Sequence, residues 1–157
     1  MKTNIARWQL EINPAITARC HEQATIGWNC DCVPCRNFKA LDKKAFSATA
    51  LDLFERLGVD YRKPVEAYHN ARLENGLHNY GGWFHLVGKI ESGADALKQI
   101  GDTPCQGTFE LEPLGEHFLF GFSNCLGLVR ESFRDQPLVQ LEFITEVPWV
   151  LRDPEPS

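Results

Sequence analysis

The sequence predicts an α+β fold: an antiparallel sheet with two N-terminal helices packed on one face, in a single domain covering residues 1–157. Apolar residues recur at helical spacing only within residues 32–58, whereas residues 64–147 alternate apolar with polar residues and contain turn signals. Helices that cluster early and hairpin-like strands that cluster later are typical of this class. The length of 157 residues is that of one ordinary domain. The polar, proline-containing tail, residues 152–157, is predicted to be disordered.

The two helices are predicted from their end signals as well as from their periodicity. Pro34 suits the first turn of a helix, where no backbone N–H is needed, and this helix would run to Ala40. A second helix is predicted over residues 43–57, with Asp42 as its N-cap and Gly58 just after its end. Residues 5–31, before these helices, are predicted to be mainly extended.

The strands are predicted from alternation and turns. Residues 65–72 and 77–90 form a hairpin around Glu74-Asn75-Gly76, and Gly81-Gly82 marks a bulge or bend in its second strand. Two later segments place every second residue on one face, with Gln140 and Glu142 on the polar side of the last strand. A short helix is predicted over residues 92–100, capped by Ser92. The apolar faces of the two later segments consist of Phe118, Phe120 and Phe122, and of Val139, Leu141 and Phe143.

Composition and charge narrow the classes of function. A net charge of −5 and the lack of a basic, aromatic-rich cluster argue against nucleic-acid binding. The sequence contains neither a secretory signal nor an apolar stretch of membrane-spanning length, so we expect a cytoplasmic protein without a membrane partner. Cysteines in that compartment are normally reduced, so a disulfide framework is not expected, and Cys105 and Cys125 are predicted to be packing residues.

The candidate site is a run of cysteines, Cys30-Asp31-Cys32-Val33-Pro34-Cys35, with Cys20 and His21 upstream. Three thiolates within six residues could hold zinc, with Cys20 or His21 as the fourth ligand. The spacing is irregular, because it has one C-x2-C pair and no second pair. Cys20, Cys30, Cys32 and Cys35 are therefore candidate zinc ligands.

Two other interpretations of the same cysteines stay open. Cys32-Val33-Pro34-Cys35 has the C-x-P-C form of thioredoxin-like motifs, and a thiol at a helix N-terminus has a lowered pKa. The buried parallel strand expected before such a motif is missing, however. The third interpretation is packing, since free cysteines are among the most buried residues.

A second candidate is the aromatic strand that contains Trp83 and His85. Regular alternation places both side chains on one face, where His85 could serve as acid, base or ligand. The alternative is a strand buried on both faces, with His85 hydrogen-bonded inside, which the apolar neighbours favour. His69 and His78 lie on the two strands of the predicted hairpin and could face each other.

Two segments resemble a family of small, largely uncharacterised bacterial proteins. They are Cys30-Asp31-Cys32-Val33-Pro34-Cys35-Arg36-Asn37-Phe38 and Tyr80-Gly81-Gly82-Trp83-Phe84-His85-Leu86-Val87-Gly88. The resemblance covers roughly residues 28 to 90. It implies a bacterial cytosolic protein, and it carries over no activity, cofactor or catalytic residue.

We therefore predict a non-catalytic binding or interaction module, with a protein as its possible partner. No acid–base pair and no nucleophile–base arrangement can be defended from spacing, so the sequence favours no enzymatic activity. The alternative is a thiol-based role for Cys30, Cys32 and Cys35, through zinc binding or dithiol redox chemistry.

Overall fold

The predicted α+β class is confirmed by a computed structural model, which describes residues 1–25 and 28–157. Seven strands form one antiparallel sheet in the order β1-β2-β4-β9-β8-β7, and β3 also pairs with β4. Two short strands, β5 and β6, form a separate hairpin. The strands are β1 (Lys2–Ile5), β2 (Trp8–Ile12), β3 (Glu66–Arg72), β4 (His78–Ser92), β5 (Leu97–Gln99), β6 (Gly107–Phe109), β7 (Glu112–Pro113), β8 (Phe118–Ser123) and β9 (Leu138–Val147).

The described residues contain three α-helices rather than two: α1 (Pro14–Gln23), α2 (Val33–Leu41) and α3 (Ala48–Leu57). The predicted first helix matches α2. The predicted second helix is broken, because Asp42–Ala45 is a 3-10 turn and the Ser47 hydroxyl caps α3 by accepting from the Ala50 N–H. Gly58 ends α3 in the left-handed conformation, as predicted.

The main hydrophobic core consists of apolar side chains from α2, α3 and the sheet. Phe46, which follows the 3-10 turn, packs edge-on against Phe38 of α2, Phe54 of α3 and Phe143 of β9. Such aromatic contacts stabilise beyond the area that they bury. The apolar side chains of α2 and α3 therefore belong to one core with the sheet. Packing of both helices on a single face stays a prediction.

Two sequence-based expectations were wrong because side chains bond locally to the backbone. The stretch before the cysteines is not extended throughout, since Asn13 caps α1 by accepting from the Ile16 N–H and Pro14 is its first residue. The part of that expectation that concerns residues 26–27 lies outside the described residues. Residues 92–100 form no helix, because the Asp95 carboxylate accepts from the Leu97 and Asn124 N–H groups and leads the chain into β5.

Gly81 and Gly82 mark close packing rather than a bulge. The pairing of β4 with β9 runs through both glycines without a shift, and the irregularity lies in β3, between His69 and Ala71. A Cβ on Gly81 would come within 2.8 Å of the Tyr68 ring, and one on Gly82 would come within 2.7 Å of the Phe143 ring. The glycines let aromatic rings lie directly on the strand.

The C-terminal tail contacts the rest of the chain. Asp153 forms an ion pair with Arg36, and Glu155 forms one with Arg72 and lies 3.4 Å from His78. His78 in turn lies 2.9 Å from His69, so the two histidines do face each other across the hairpin. No helix among residues 1–25 and 28–157 is long and apolar enough to cross a membrane.

Candidate metal centre

The start of α2 brings three cysteine thiols together. Cys32 is the N-cap residue of the helix, Cys35 lies in its first turn, and Cys30 lies two residues before the cap. The Sγ atoms of all three lie within 4.8 Å of one another, and those of Cys30 and Cys32 are 3.3 Å apart. Three thiolates around one zinc ion lie about 3.8 Å apart, given tetrahedral geometry and Zn–S bonds of about 2.3 Å. The cluster thus has the size that a zinc ion requires.

The groups around Cys30 favour the negatively charged thiolate form of this cysteine. The Cys32 backbone N–H lowers the pKa of the Cys30 thiol, with further lowering by the neighbouring thiols and by Lys39. The Lys39 ammonium donates to the Cys30 carbonyl and lies 5.1 Å from the Trp28 ring centroid. The N-terminus of α2 adds its own positive potential.

The inner cysteine differs from the other two. Cys35 is buried, and burial raises the pKa of its thiol to about 12. The Trp28 indole N–H opposes this shift by donating to the Cys35 Sγ at 3.3 Å. An N–H group directed at sulfur is the kind of supporting contact that stabilises a metal-bound thiolate.

Cys20 and His21, the predicted fourth ligands, lie elsewhere. Cys20 is buried in a separate cluster with Val87 and Phe133, and His21 packs edge-on against Phe133 at 5.0 Å. Among the described residues, the group of potential metal ligands contains only the three cysteines. A metal held there would keep a position open, which the protein sites of structural zinc normally do not.

Trp83 and His85 belong to a different polar cluster, on the face of the sheet opposite Phe84. Their partners across β9 are Glu142 and Gln140. His85 Nε2 lies 3.0 Å from Gln140 Oε1, which also accepts from the Gly127 N–H, and the Trp83 indole donates to the Gly127 carbonyl. His85 is therefore buried and hydrogen-bonded, as the alternative interpretation predicts.

Glu142 and Gln140 lie on the face of β9 opposite Val139, Leu141 and Phe143, as predicted, and both are buried there. The segment after β8 covers them, with Gly127 bonded to both Gln140 and Trp83. Burial raises the pKa of the Glu142 carboxyl to about 7, while a hydrogen bond from Gln140 opposes the shift. Sequence reasoning missed this because a polar residue at every second strand position is also typical of a solvated face.

Cys105 and Cys125 form a disulfide, which corrects their prediction as isolated packing residues. Their Cα atoms are 5.5 Å apart although 20 residues separate them, so only the tertiary fold brings them together. Disulfides are typical of oxidising compartments, so this pair does not support the expected cytoplasmic location.

Comparison with known proteins adds no functional assignment. No protein-family model, no curated protein and no solved structure matches the chain.

Proposed function

We propose that this protein is a non-catalytic binding module whose ligand is a zinc ion held by Cys30, Cys32 and Cys35. The observation that carries the proposal is that the three Sγ atoms lie within 4.8 Å of one another at the start of α2. A bacterial, cytoplasmic setting belongs to the same proposal despite the Cys105–Cys125 disulfide, because Cys30, Cys32 and Cys35 are free thiols and a reducing compartment keeps them in the form that binds metal.

Charge balance supports zinc at this position. Three thiolates and one Zn²⁺ have a net charge of −1, which the helix N-terminus and the nearby Lys39 ammonium can offset. The raised pKa of Cys35 is no obstacle, because zinc displaces the thiol proton on binding. The open fourth position would take water or a side chain of a protein partner.

We expect about one zinc ion per chain in freshly purified protein, and weaker binding in Cys32→Ser by more than roughly 100-fold. The measurement is metal analysis of the purified protein, followed by Co²⁺ titration of the metal-free chain, whose visible bands report tetrahedral thiolate coordination. Cys20→Ser is the matched control, since it removes a buried cysteine outside the cluster. Cobalt binding that is equally tight in Cys32→Ser and the unchanged protein would refute the zinc site.

A dithiol that exchanges with disulfides of other proteins is the second candidate. It is favoured by the contrast between Cys32, exposed at the N-cap, and Cys35, buried one turn later with a pKa raised to about 12. Redox dithiols commonly pair an exposed attacking thiol with a buried resolving thiol.

For the dithiol we expect the accessible thiols at the helix start, Cys32 and its neighbour Cys30, to react with iodoacetamide in metal-free protein faster than the buried Cys20 and Cys35 near neutral pH. The fast reaction should decrease in Cys32→Ser and persist in Cys20→Ser. Mass spectrometry of quenched samples identifies the alkylated residue. Uniformly slow alkylation of the four free cysteines would exclude this function and leave the zinc proposal intact.

A further inference from the structure

A second cluster of side chains that could bind a ligand lies away from the cysteines, around the buried ring of Phe133. The His21 ring of α1 lies 5.0 Å from it, the His85 ring of β4 lies 6.2 Å from it, and the Arg130 guanidinium lies 5.3 Å from it. His21 also bonds through Nε2 to the His85 carbonyl at 3.1 Å. Three segments that are distant in sequence thus bring polar side chains together around this buried ring.

The hydrogen bonds fix which nitrogen of each histidine carries the proton. His21 Nε2 faces a carbonyl oxygen, which only accepts, so Nε2 must carry the hydrogen. His85 Nε2 faces Gln140 Oε1, whose orientation is set by the Gly127 N–H that it also accepts. In the neutral rings, Nδ1 of both histidines is therefore a free acceptor.

Both Nδ1 atoms are buried, and no group among the described residues bonds to either. Burial, together with the nearby positive charge of Arg130, lowers the pKa of each imidazole to about 4. Both rings are thus neutral near neutral pH, and each needs a donor at Nδ1.

The Arg130 guanidinium, in contrast, needs hydrogen-bond acceptors. Its Nε, Nη1 and Nη2 atoms are buried, and none has a hydrogen-bond partner within residues 1–25 and 28–157. A buried cation without a counter-charge is strongly destabilising. The buried carboxylate of the sheet, Glu142, accepts a hydrogen bond from Gln140 and does not pair with Arg130. The guanidinium is therefore matched to an anionic acceptor from outside the chain.

We propose that His21, His85 and Arg130 bind a small oxyanion that carries a hydroxyl group, with hydrogen phosphate as the type ligand. Its charged oxygens would accept from the Arg130 guanidinium, while its O–H would donate to an imidazole Nδ1. A metal cation is disfavoured by the arginine, and chloride has no proton to donate. This site is independent of the proposed zinc centre.

The donor and acceptor pattern makes a selective prediction. Sulfate has the shape of phosphate but carries no proton near neutral pH, so it cannot donate to neutral imidazoles. We expect inorganic phosphate to bind the full chain at a ratio of one to one, at least about tenfold more tightly than sulfate. Calorimetric titration at constant ionic strength measures both affinities. Absent phosphate binding, or sulfate binding that equals it, would overturn the proposal.

Arg130→Met should weaken phosphate binding by at least about tenfold. Arg134→Met is the matched control, because Arg134 lies one turn later and is exposed. Binding that is retained in Arg130→Met would refute the assignment.

A measurement on the unchanged protein covers the case in which Arg130→Met does not fold. The chain has five histidines, so their ring nitrogens can be followed individually by ¹⁵N NMR. Phosphate should shift the Nδ1 resonances of His21 and His85 and leave that of the exposed His117 unchanged. Saturating phosphate without a shift at either buried histidine would overturn the proposal.

Discussion

Lowering the pH from 6.5 to 4 is expected to destabilise the folded protein by about 5 kcal/mol through His21 and His85 together. Both rings are almost fully buried, and the cause of the effect is mainly the loss of hydration of the charged form. Since a typical domain is stable by only about 5–15 kcal/mol, this change is enough to bring the protein close to unfolding.

The sign of this pH effect follows from the pKa of each histidine in the unfolded and in the folded chain. In the unfolded chain each histidine takes up a proton near pH 6.5, whereas in the folded chain it stays neutral until about pH 4. The unfolded state therefore binds more protons within this window, and stability is present above pH 6.5 and lost as the pH falls to 4. Arg130 acts in the same direction at both rings, and Asp60 partly opposes it at His21.

Urea denaturation followed by circular dichroism at several pH values between 4 and 7 measures the effect, in chloride salts without oxyanion buffers. His85→Gln should flatten the pH dependence by about 3 kcal/mol, because glutamine can still donate to Gln140. His117→Gln is the control, since His117 is exposed and forms only a surface pair with Glu146. Equal pH dependence in all three proteins would contradict the assignment.

The main sheet could be predicted from the sequence because its apolar alternation is strong. Phe118, Phe120 and Phe122 are buried in β8, and the hairpin of β3 and β4 forms around the predicted turn. What lies on the second face could not be predicted. A solvated strand and a strand covered by a loop have the same alternation, and the cover over Gln140 and Glu142 comes from a segment with no periodic signal.

The ends of the helices were equally difficult to predict from the sequence. The Asn13-Pro14 pair suits an N-cap and a first helical residue as well as it suits a turn, and the polar sequence that follows offers no apolar stripe to decide. The residue type of Ser92 predicts a helix cap, whereas the backbone follows the hydrogen bonds that the Asp95 carboxylate accepts. Local signals with two structural meanings need tertiary contacts to decide between them.

The candidate sites differ in how far apart their residues lie in the sequence, and this decides whether the sequence can predict them. Cys30, Cys32 and Cys35 come together because they lie within six residues at a helix start, so spacing alone predicts the cluster. The sequence does not indicate a binding role for Arg130, because that role depends on two histidines that lie 45 and more residues away in the chain. The disulfide of Cys105 and Cys125 likewise depends on the folding of two separate loops.

Glu142→Gln is expected to stabilise the protein by about 3 kcal/mol above pH 7 and to have little effect at pH 4.5. The folded carboxyl has its pKa raised to about 7 by burial, from an ordinary value of 4.5. The folded state thus binds more protons between these values, so the wild-type protein loses stability as the pH rises through them. Above pH 7 the full penalty of a buried carboxylate remains.

Glutamine removes this penalty without removing the hydrogen bond, because its carbonyl can still accept from the Gln140 amide. The same urea denaturation, extended to pH 8, compares Glu142→Gln with Glu146→Gln. Glu146 lies four residues along β9, is partly exposed, and should change stability by no more than about 1 kcal/mol. Because Glu142 opposes the two histidines between pH 4.5 and 6.5, its removal should also steepen the loss of stability in acid. A variant that is destabilised at pH 8 would contradict the prediction, because it would show that the Glu142 carboxylate has a cationic partner in the fold.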